Sequence, residues 1–323
     1  MEYRQLGWTD LNLSVIGLGA WAMGGGGWQY SWGPQDDKES IATIIRAMEL
    51  GINWIDTAAV YGLGHSEEIV GQALKRLSKK PIIATKCSLI WNKDRVISSR
   101  LKKDSIKAEV EASLKRLQVD VIDLYQIHRP SPERDIKEAW NTLAELVKEG
   151  KIRYAGVSNF NVKQIARIHK IHPVASLQPP YNMLRREIED ELIDYCAANK
   201  MGIVVYSPMM KGLLTGKFSK ERMHNLAPDD HRRNDPYFQE PELSVNLQLV
   251  EGLRSIADKH GKSISQVALA WVLRDKAITA AIVGARHPEQ IEETAAAGDW
   301  RLPNRDIAAI SVLLRVRQNA LKR

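Results

Sequence analysis

Four residues whose types suit acid–base chemistry stand at or just after the ends of three consecutive predicted strands. Asp56 ends the first of these strands, and Tyr61 follows five residues later in a glycine-bounded loop. Lys86 ends the next strand, and His128 ends the one after it. Because the carboxyl ends of parallel barrel strands meet at one rim, these side chains are expected to converge although they are distant in sequence.

The chemistry that this set suggests is proton donation to a developing alkoxide. A free tyrosine, with a pKa of about 10, is a poor acid at neutral pH. The ammonium of Lys86 is expected to favour the phenolate and so to lower the pKa of Tyr61. Asp56 would keep Lys86 charged and oriented, and His128 would hydrogen-bond the substrate carbonyl oxygen. The set therefore predicts carbonyl reduction, which also requires a hydride donor.

Each of the four residues also has a structural interpretation. A strand-end Asp can cap a turn, a Tyr can pack in the core, and a lone His is usually structural. Lys86 fits such an interpretation least, because lysine is rarely buried unless it is paired or functional. Four such residues at equivalent positions of neighbouring units are far less probable by chance than any one of them.

The elements that must position these residues alternate regularly between strand and helix. The predicted strands are 14–20, 54–57, 82–86, 121–127, 153–157, 176–178, 202–206 and 280–283. The predicted helices begin with one that Asp37 caps and Gly51 ends, followed by 66–77, 104–117, 135–149, 161–170, 186–199, 246–260, 263–274, 288–297 and 304–318. A long polar loop is predicted at 208–245, and a small hairpin at the N-terminus.

Eight short apolar strands, each followed by a helix, predict an α/β fold: a (β/α)8 TIM barrel with a short N-terminal β-hairpin and an extra C-terminal helix. An open doubly wound sheet of eight strands is the alternative. No composition break or linker interrupts the alternation, so residues 1–323 are predicted to form a single domain.

A dinucleotide-binding fingerprint is present in form only. The segment 17–22 satisfies Gly-x-Gly-x-x-Ala, but that mechanism needs a helix to begin directly after the glycines. Residues 23–33 are rich in glycine and aromatics and predict a loop, so the Rossmann interpretation is rejected. The pocket of a substrate could instead be walled by aromatic residues of this region and by Trp91 after the third strand; those of the region are Trp21, Trp28, Tyr30 and Trp32. Trp28 and Trp32 fit core packing equally well.

Composition excludes several other classes. The chain is 44% hydrophobic and 26% charged, as in an ordinary globular protein with a sizeable core. The net charge is +7, but lysine and arginine alternate with glutamate and aspartate along amphipathic helices instead of forming a basic patch. A nucleic-acid partner is therefore not predicted. No apolar run approaches the ~18 residues of a membrane span, and the N-terminus lacks a signal-peptide core, so a cytoplasmic location is expected. Two cysteines, and His169 and His172 without a third ligand, predict no metal site.

The residues discussed so far resemble the aldo-keto reductase family. Asp56, Tyr61, Lys86 and His128 match its catalytic tetrad in order, and the matching motifs lie at 51–58, 61–62, 150–160 and 206–208. The resemblance covers residues 3 to 300. It is closest to the bacterial general-stress-type reductases, which are related to the β subunits of voltage-gated potassium channels.

The resemblance implies that NADPH/NADP+ lies extended across the barrel mouth. The positions implied to contact the cofactor are Ala20, Trp21, Asp56, Ser158, Asn159, Gln178, Tyr206, Ser207, Pro208, Met209, Lys211, Gly212, Leu213, Lys217, Arg232, Gly284, Arg286, Gln290 and Glu293. Within this list, Ser158, Asn159 and Gln178 match the positions that bind the nicotinamide carboxamide, and Tyr206 matches the aromatic that stacks on its ring. Segment 207–217 matches the loop around the pyrophosphate. Backbone amides and lysines in such a loop suit an anion.

The residues at the adenosine end of the cofactor and those of the substrate pocket are implied by the same resemblance. Arg286 favours NADP over NAD, because a guanidinium suits the 2′-phosphate of NADP. Lys211, Lys217 and Arg232 also fit a solvated loop, and without the resemblance Arg232 would be interpreted that way. The residues expected to contact the substrate are Trp21, Tyr61, Trp91 and His128.

Two function classes remain. The first is an NADPH-dependent enzyme that reduces aldehydes or ketones to alcohols. The second is a nucleotide-sensing module of the channel β-subunit type, with little turnover. The intact tetrad favours the enzyme, as does the start of the chain at the hairpin. His128, where relatives that reduce carbon–carbon double bonds carry Glu, favours a small-molecule carbonyl substrate. The identity of that substrate depends on loop shapes that the sequence does not reveal.

Overall fold

The eight predicted strands form a closed parallel barrel in the computed structural model, which describes residues 1–227 and 230–322. The strands in chain order are β1 Tyr3–Gln5, β2 Asn12–Ser14, β3 Ile16–Gly19, β4 Trp54–Asp56, β5 Ile82–Cys87, β6 Leu89–Trp91, β7 Ile97–Ser99, β8 Ile122–Ile127, β9 Ile152–Ser158, β10 Ser176–Gln178, β11 Gly202–Val205 and β12 Ala280–Gly284. The order around the barrel is β3-β4-β5-β8-β9-β10-β11-β12, with β12 pairing back to β3.

Helices cover the outside of the barrel and bury its apolar strand faces. They are α1 Asp37–Glu49, α2 His65–Leu74, α3 Lys103–Leu117, α4 Ile136–Lys148, α5 Val162–His169, α6 Leu192–Ala198, α7 Lys220–His224, α8 Glu242–Lys259, α9 Ile264–Val272, α10 Pro288–Ala295 and α11 Asn304–Leu321. The (β/α)8 prediction and its extra C-terminal helix are thereby confirmed, and the open-sheet alternative is wrong. The single-domain assignment stays a prediction.

The barrel interior is filled with side chains rather than open. The Trp54 indole lies inside with no exposed surface, in a cluster with residues of other barrel strands such as Ala84, Leu124 and Val204. A Cβ at Gly17 would lie 2.1 Å from this indole, so only glycine fits there. Such layers of inward-pointing side chains make the barrel a packed core, which leaves its carboxyl rim as the place for a site.

The predicted N-terminal hairpin, β1 paired antiparallel with β2, closes the amino end of the barrel. Leu6, Leu11 and Leu13 pack from the hairpin onto the interior cluster, and the Trp54 indole N–H donates to the carbonyl oxygen of Ser14.

Several local predictions need correction. Asp36, not Asp37, caps α1, because its side chain accepts a hydrogen bond from the amide of Glu39. Residues 22–24 form one 3-10 turn inside the predicted loop. The predicted helix 186–199 is a 3-10 turn at Glu187–Glu189 followed by the shorter α6.

The predicted loop 208–245 is also more ordered than expected. It contains α7, and α8 begins at Glu242, four residues before its predicted start. The antiparallel pair β6-β7 was not predicted at all. Among the described residues, none of the helices combines the length and apolarity required to cross a membrane.

Candidate active site

Lys86 is the centre of the site. Its side chain points into the barrel from β5 with 1% of its surface exposed. The Nζ donates to Asp56 Oδ1 at 2.6 Å, to the carbonyl oxygen of Thr57 at 2.9 Å and to Tyr61 Oη at 3.2 Å. Burial alone would lower the pKa of Lys86, but the charge of Asp56 and the contact with Tyr61 outweigh it and raise the pKa. The ammonium is therefore charged at neutral pH.

Tyr61 differs from expectation in one respect. Burial raises the pKa of its phenol by more than the Lys86 ammonium lowers it, so the net shift is upward. The expectation of a lowered pKa is therefore wrong for this structure. The physical reason is that the phenolate is a charged form that burial disfavours, and Asp56 adds a repulsive charge. Tyr61 consequently stays protonated at neutral pH, and the Lys86 ammonium lies where it can stabilise a phenolate.

His128 completes the set at the end of β8. Its ring meets the Tyr61 ring edge-to-face, with 5.8 Å between centroids. Burial, with the positive charges of Lys86 and Arg129, holds the pKa of His128 well below its usual value. The imidazole is therefore neutral at neutral pH and can donate one hydrogen bond to a carbonyl oxygen without competing with Lys86 for charge.

A hydrogen-bonded chain connects the tetrad to the strands on the other side of the barrel. Gln178 Nε2 donates to Asp56 Oδ2 at 2.9 Å, and Ser158 Oγ donates to the Gln178 carbonyl oxygen at 2.8 Å. The Asn159 amide donates to the His128 carbonyl oxygen at 3.0 Å. Tyr206 Oη donates to Asn159 Oδ1 at 2.9 Å. The sequence-predicted nicotinamide residues thus lie together beside the tetrad.

Aromatic rings form a roof over Tyr61, which we call the aromatic roof: Trp21, Trp28, Tyr30, Trp32 and His231. Trp21 stacks on Tyr61 at 5.7 Å and 11°. Trp21 and Trp32 both stack with His231 at 5.8 Å, and the Trp32 indole N–H donates to His231 Nδ1 at 3.0 Å. The aromatic residues predicted around Trp21 therefore cluster over Tyr61, and their role as a wall of a substrate pocket stays a prediction. Trp91 lies on the β6-β7 hairpin, paired with Ile97, and its substrate role stays a prediction.

The loop after β11 turns sharply. Ser207, Met210, Lys211 and Gly212 all have positive φ, between 46° and 96°. The amides of Met210 and Gly212 donate to the carbonyl oxygens of Ser207 and Met209 at 2.9 and 3.1 Å, so these two amides are already hydrogen-bonded within the loop. Leu213 is fully buried, and its contact with the cofactor stays a prediction. The same rim includes Pro208 and Met209, which follow Ser207 in the chain, and Ala20, which precedes Trp21.

Cations of this region are held by partners from several elements. Lys211 pairs with Asp235 at 2.7 Å, and Lys217 with Glu293 at 2.6 Å. Arg232 pairs with Asp230 at 2.6 Å and lies over the Trp32 ring at 5.3 Å.

Arg286 is held by neutral oxygens. Its Nε donates to Gln35 Oε1 at 2.7 Å, and its terminal nitrogens donate to the carbonyl oxygens of Trp32 and Pro34. Its backbone amide donates to Gln290 Oε1 at 2.8 Å, near the exposed Gly284 that ends β12. Burial, and to a smaller extent the nearby positive charge of Arg232, lowers the pKa of Arg286.

Two residues of this region were missed from the sequence. His231 contributes a ring to the aromatic roof. The Gln35 side-chain amide accepts from Arg286 Nε and donates to the Arg286 carbonyl oxygen. Each contacts a partner about 200 or more positions away, with sequence separations of 199 and 251. No local pattern marks such contacts.

Comparisons with known proteins agree with this geometry. A model of the aldo/keto reductase family matches residues 15–315. The chain is 41% identical to aldo-keto reductase YhdN of Bacillus subtilis, covering 97% of this chain and 94% of that protein. It is 36% identical to the NADH-specific methylglyoxal reductase of Escherichia coli over the full length of both.

Solved structures extend the likeness. The glycerol dehydrogenase AKR11B4 from Gluconobacter oxydans superposes with a TM-score of 0.89 at 38% identity, covering 98% of this chain and 95% of that one. The aldo-keto reductase AKR11C1 from Bacillus halodurans, in its holo form, gives 0.81 at 27% identity, covering 97% and 96%. These relatives are described as reductases or as a dehydrogenase, which favours the enzyme over the sensing module. By sequence, fold and site geometry, the chain belongs to the aldo/keto reductase family.

Proposed function

We propose that this protein reduces aldehydes or ketones to alcohols with NADPH, and that Tyr61 donates the proton. The observation that carries the proposal is the buried contact of Tyr61 Oη with Lys86 Nζ at 3.2 Å, with Asp56 at 2.6 Å behind the lysine. The substrate is a small carbonyl compound that enters beneath the aromatic roof. A cytoplasmic location belongs to the same proposal.

The roles of the four residues follow from their charge states. Neutral His128 donates a hydrogen bond to the carbonyl oxygen and polarises it. NADPH, when bound, supplies the hydride. As negative charge develops on that oxygen, Tyr61 transfers its proton to it, and the Lys86 ammonium stabilises the phenolate that remains. Asp56 keeps Lys86 protonated, which the raised pKa of the lysine supports.

The residues present fit a phosphorylated nucleotide. The turn at 207–212 carries Lys211, and Lys217 follows shortly after it, so two cations stand where a pyrophosphate would need them. Ser158, Asn159 and Gln178 offer amide and hydroxyl groups next to the tetrad, and Tyr206 offers a ring for stacking. At the other end, Gln290 and Glu293 flank the segment that carries Arg286.

Arg286 is the basis for preferring NADPH over NADH. Among the residues that the structure describes, its guanidinium donates to neutral oxygens and to no carboxylate. Its positive charge is therefore available for the 2′-phosphate. Because one relative is described as NADH-specific, the measurement that decides cofactor choice compares the two nucleotides directly.

The test of the mechanism is Tyr61→Phe. Only the proton donor is lost, so kcat for carbonyl reduction should fall by about 100-fold or more, the range of general acid catalysis. Binding of NADPH, followed by fluorescence titration, should stay within about twofold because the nucleotide residues are intact. A variant with wild-type turnover would overturn the proposed role of Tyr61. A panel of aldehydes, sugars and ketones, followed by NADPH oxidation, then ranks the substrates.

The test of cofactor choice is Arg286→Ala. Loss of a charge-assisted bond to a phosphate should weaken NADPH binding by about tenfold or more, while NADH binding changes little. Dissociation constants of both nucleotides, measured side by side for the variant and the wild type, check this. Equal losses for both nucleotides would remove the argument for NADPH.

A further inference from the structure

The bend that follows Lys86 on β5 has a strained backbone. Ser88, between β5 and β6, has a φ of +84°, a conformation that residues other than glycine rarely adopt. Its side chain and backbone are fully buried. A strained residue in the interior persists only when surrounding contacts hold it, so the partners of Ser88 are informative.

Glu109 of α3 is the partner that holds this bend. One carboxylate oxygen accepts a hydrogen bond from the Ser88 amide at 2.8 Å, and the other accepts one from Ser105 Oγ at 2.9 Å. A bond to a carboxylate is roughly twice as strong as one between neutral groups. The tetrad does not use Glu109.

The bend joins the two strand ends that carry the proposed chemistry. Lys86 lies two residues before Ser88. The carbonyl oxygen of Cys87 accepts the amide of His128 at 3.1 Å, and Ser88 Oγ accepts the amide of Arg129 at 3.4 Å. A shift of the bend would therefore move Lys86 and His128 relative to each other.

We propose that Glu109 is a positioning residue for the reduction: its carboxylate holds the Ser88 amide in the strained conformation and thereby aligns Lys86 with His128. This rests on the proposed function, since alignment matters only if the two residues act on one substrate. Glu109 itself touches neither substrate nor cofactor.

The charge of Glu109 is sensitive to pH in this setting. Burial raises its pKa to about 7, and the negative Glu67 of α2 adds to the effect. Ser105, the Ser88 amide and Arg116 of α3 act in the opposite direction. The other titratable groups packed against it are Cys87 of β5 and Tyr125 of β8, which burial keeps neutral. The carboxylate thus gains its charge, and its stronger hold on the bend, as pH rises through about 7.

The first experiment is a double-mutant cycle of Glu109→Gln and Ser88→Gly, with kcat for carbonyl reduction measured at pH 8. The glutamine side chain keeps the shape and one acceptor but not the charge, so we expect kcat to fall by about five- to tenfold, the worth of the stronger bond. Glycine adopts positive φ without strain, so the double variant should recover to the level of Ser88→Gly alone. A loss that glycine does not rescue, or no loss at all, would overturn the proposal.

The second experiment separates positioning from folding. In the wild type, kcat should fall as pH falls through about 7, where Glu109 loses its charge. In Glu109→Gln that limb should disappear and the low rate should hold at all pH values. Because the pKa of Glu109 is raised in the fold from 4.5 to about 7, its ionisation destabilises the folded state; the loss builds up as pH rises between these two values and is complete at pH 8. The melting temperature of the variant at pH 8 should therefore equal or exceed that of the wild type, although its rate is lower. A lower melting temperature with a lower rate would assign Glu109 a structural role only.

The control is Glu111→Gln on the same helix. Glu111 faces solvent and pairs with Lys151, away from the bend, so its variant should match the wild type in rate and pH profile. Tyr61→Phe is measured in the same assay. If that variant keeps full activity, the proposed mechanism fails regardless of Glu109. If it is inactive while Glu109→Gln behaves as the wild type, only the positioning role fails.

Discussion

Lys86 shows how the chemistry of one residue constrains the fold around it. A buried ammonium is costly unless charged and polar partners surround it, and here Asp56, Thr57 and Tyr61 supply all three of its acceptors. The pair with Asp56 is nearly inaccessible to solvent, with side-chain exposures of 0% and 4%. Such a pair adds little stability compared with apolar residues, so its presence points to function.

Replacement of Lys86 by Met should lower both the stability and the activity of the protein. The variant leaves the Asp56 carboxylate buried without its cation, so the free energy of unfolding should fall by about 3–5 kcal/mol. Carbonyl reduction should also be lost, because nothing stabilises the Tyr61 phenolate. Urea denaturation and steady-state assays measure the two effects.

The double variant Lys86→Met with Asp56→Asn provides the control. Removing the stranded charge should restore most of the stability but none of the activity. Recovery of activity in the double variant would contradict the role assigned to Lys86.

At the scale of single residues, the sequence predicted which residues form the candidate site but not the direction of their pKa shifts. Residue type and strand-end position were enough to select Asp56, Tyr61, Lys86 and His128, because a parallel barrel gathers strand ends. The direction of the Tyr61 pKa shift was not predictable, because it depends on how far burial outweighs the lysine charge. That quantity is a property of the packed site, as is the neutral state of His128.

At the scale of elements, the position of Tyr61 depends on the contact between two loops. The loop after β3 and the loop after β4 meet backbone to backbone at Gly24 and Gly62. A Cβ at Gly24 would lie 2.6 Å from the Gly62 nitrogen and 2.8 Å from the Tyr61 carbonyl carbon. Since both are backbone atoms, no side-chain rotation could relieve the overlap.

Replacement of Gly24 by Ala should therefore displace Tyr61 rather than unfold the barrel. We expect kcat to fall by about 10- to 100-fold, as displacements near 1 Å can produce, with NADPH binding within about twofold of normal. Gly26→Ala is the matched control, because a Cβ there would meet nothing closer than 3.4 Å. Similar losses in both variants would mean that loop flexibility, and not this contact, controls the rate.

The elements that the sequence missed share a physical cause. β6 and β7 have three residues each, which is too short to show the alternation of apolar and polar residues that marks a strand. The start of α8 at Glu242 lacks a side-chain cap, and Pro241 stands in its N-cap position. Long regular helices such as α4 were predicted to within a residue, because their apolar stripe repeats over three turns.

At the scale of the whole molecule, the barrel holds the site at one end and a closing hairpin at the other. Arg4 of β1 connects that hairpin to the turn before β12. Its guanidinium donates to the carbonyl oxygens of Leu273, Asp275 and Ile278 at 3.1, 3.2 and 2.5 Å. The residues joined are more than 265 positions apart, with separations of 269 to 274. Sequence patterns predicted both the hairpin and the barrel but could not predict this contact between them.

The arrangement separates stability from catalysis, and Arg4→Ala tests the separation. Three carbonyl oxygens lose a charged donor that is 13% exposed, so the free energy of unfolding should fall by about 2–4 kcal/mol. The site lies at the opposite rim, so kcat and KM at 25 °C should stay within about twofold of the wild type. Arg301→Ala is the control: its guanidinium is 68% exposed and pairs only with Glu2 in the described residues, so its loss should cost less than about 1 kcal/mol. Thermal unfolding and steady-state kinetics of the three proteins check both claims. If Arg4→Ala instead lowers kcat while unfolding is unchanged, the two ends of the barrel are coupled and the separation argued here is wrong.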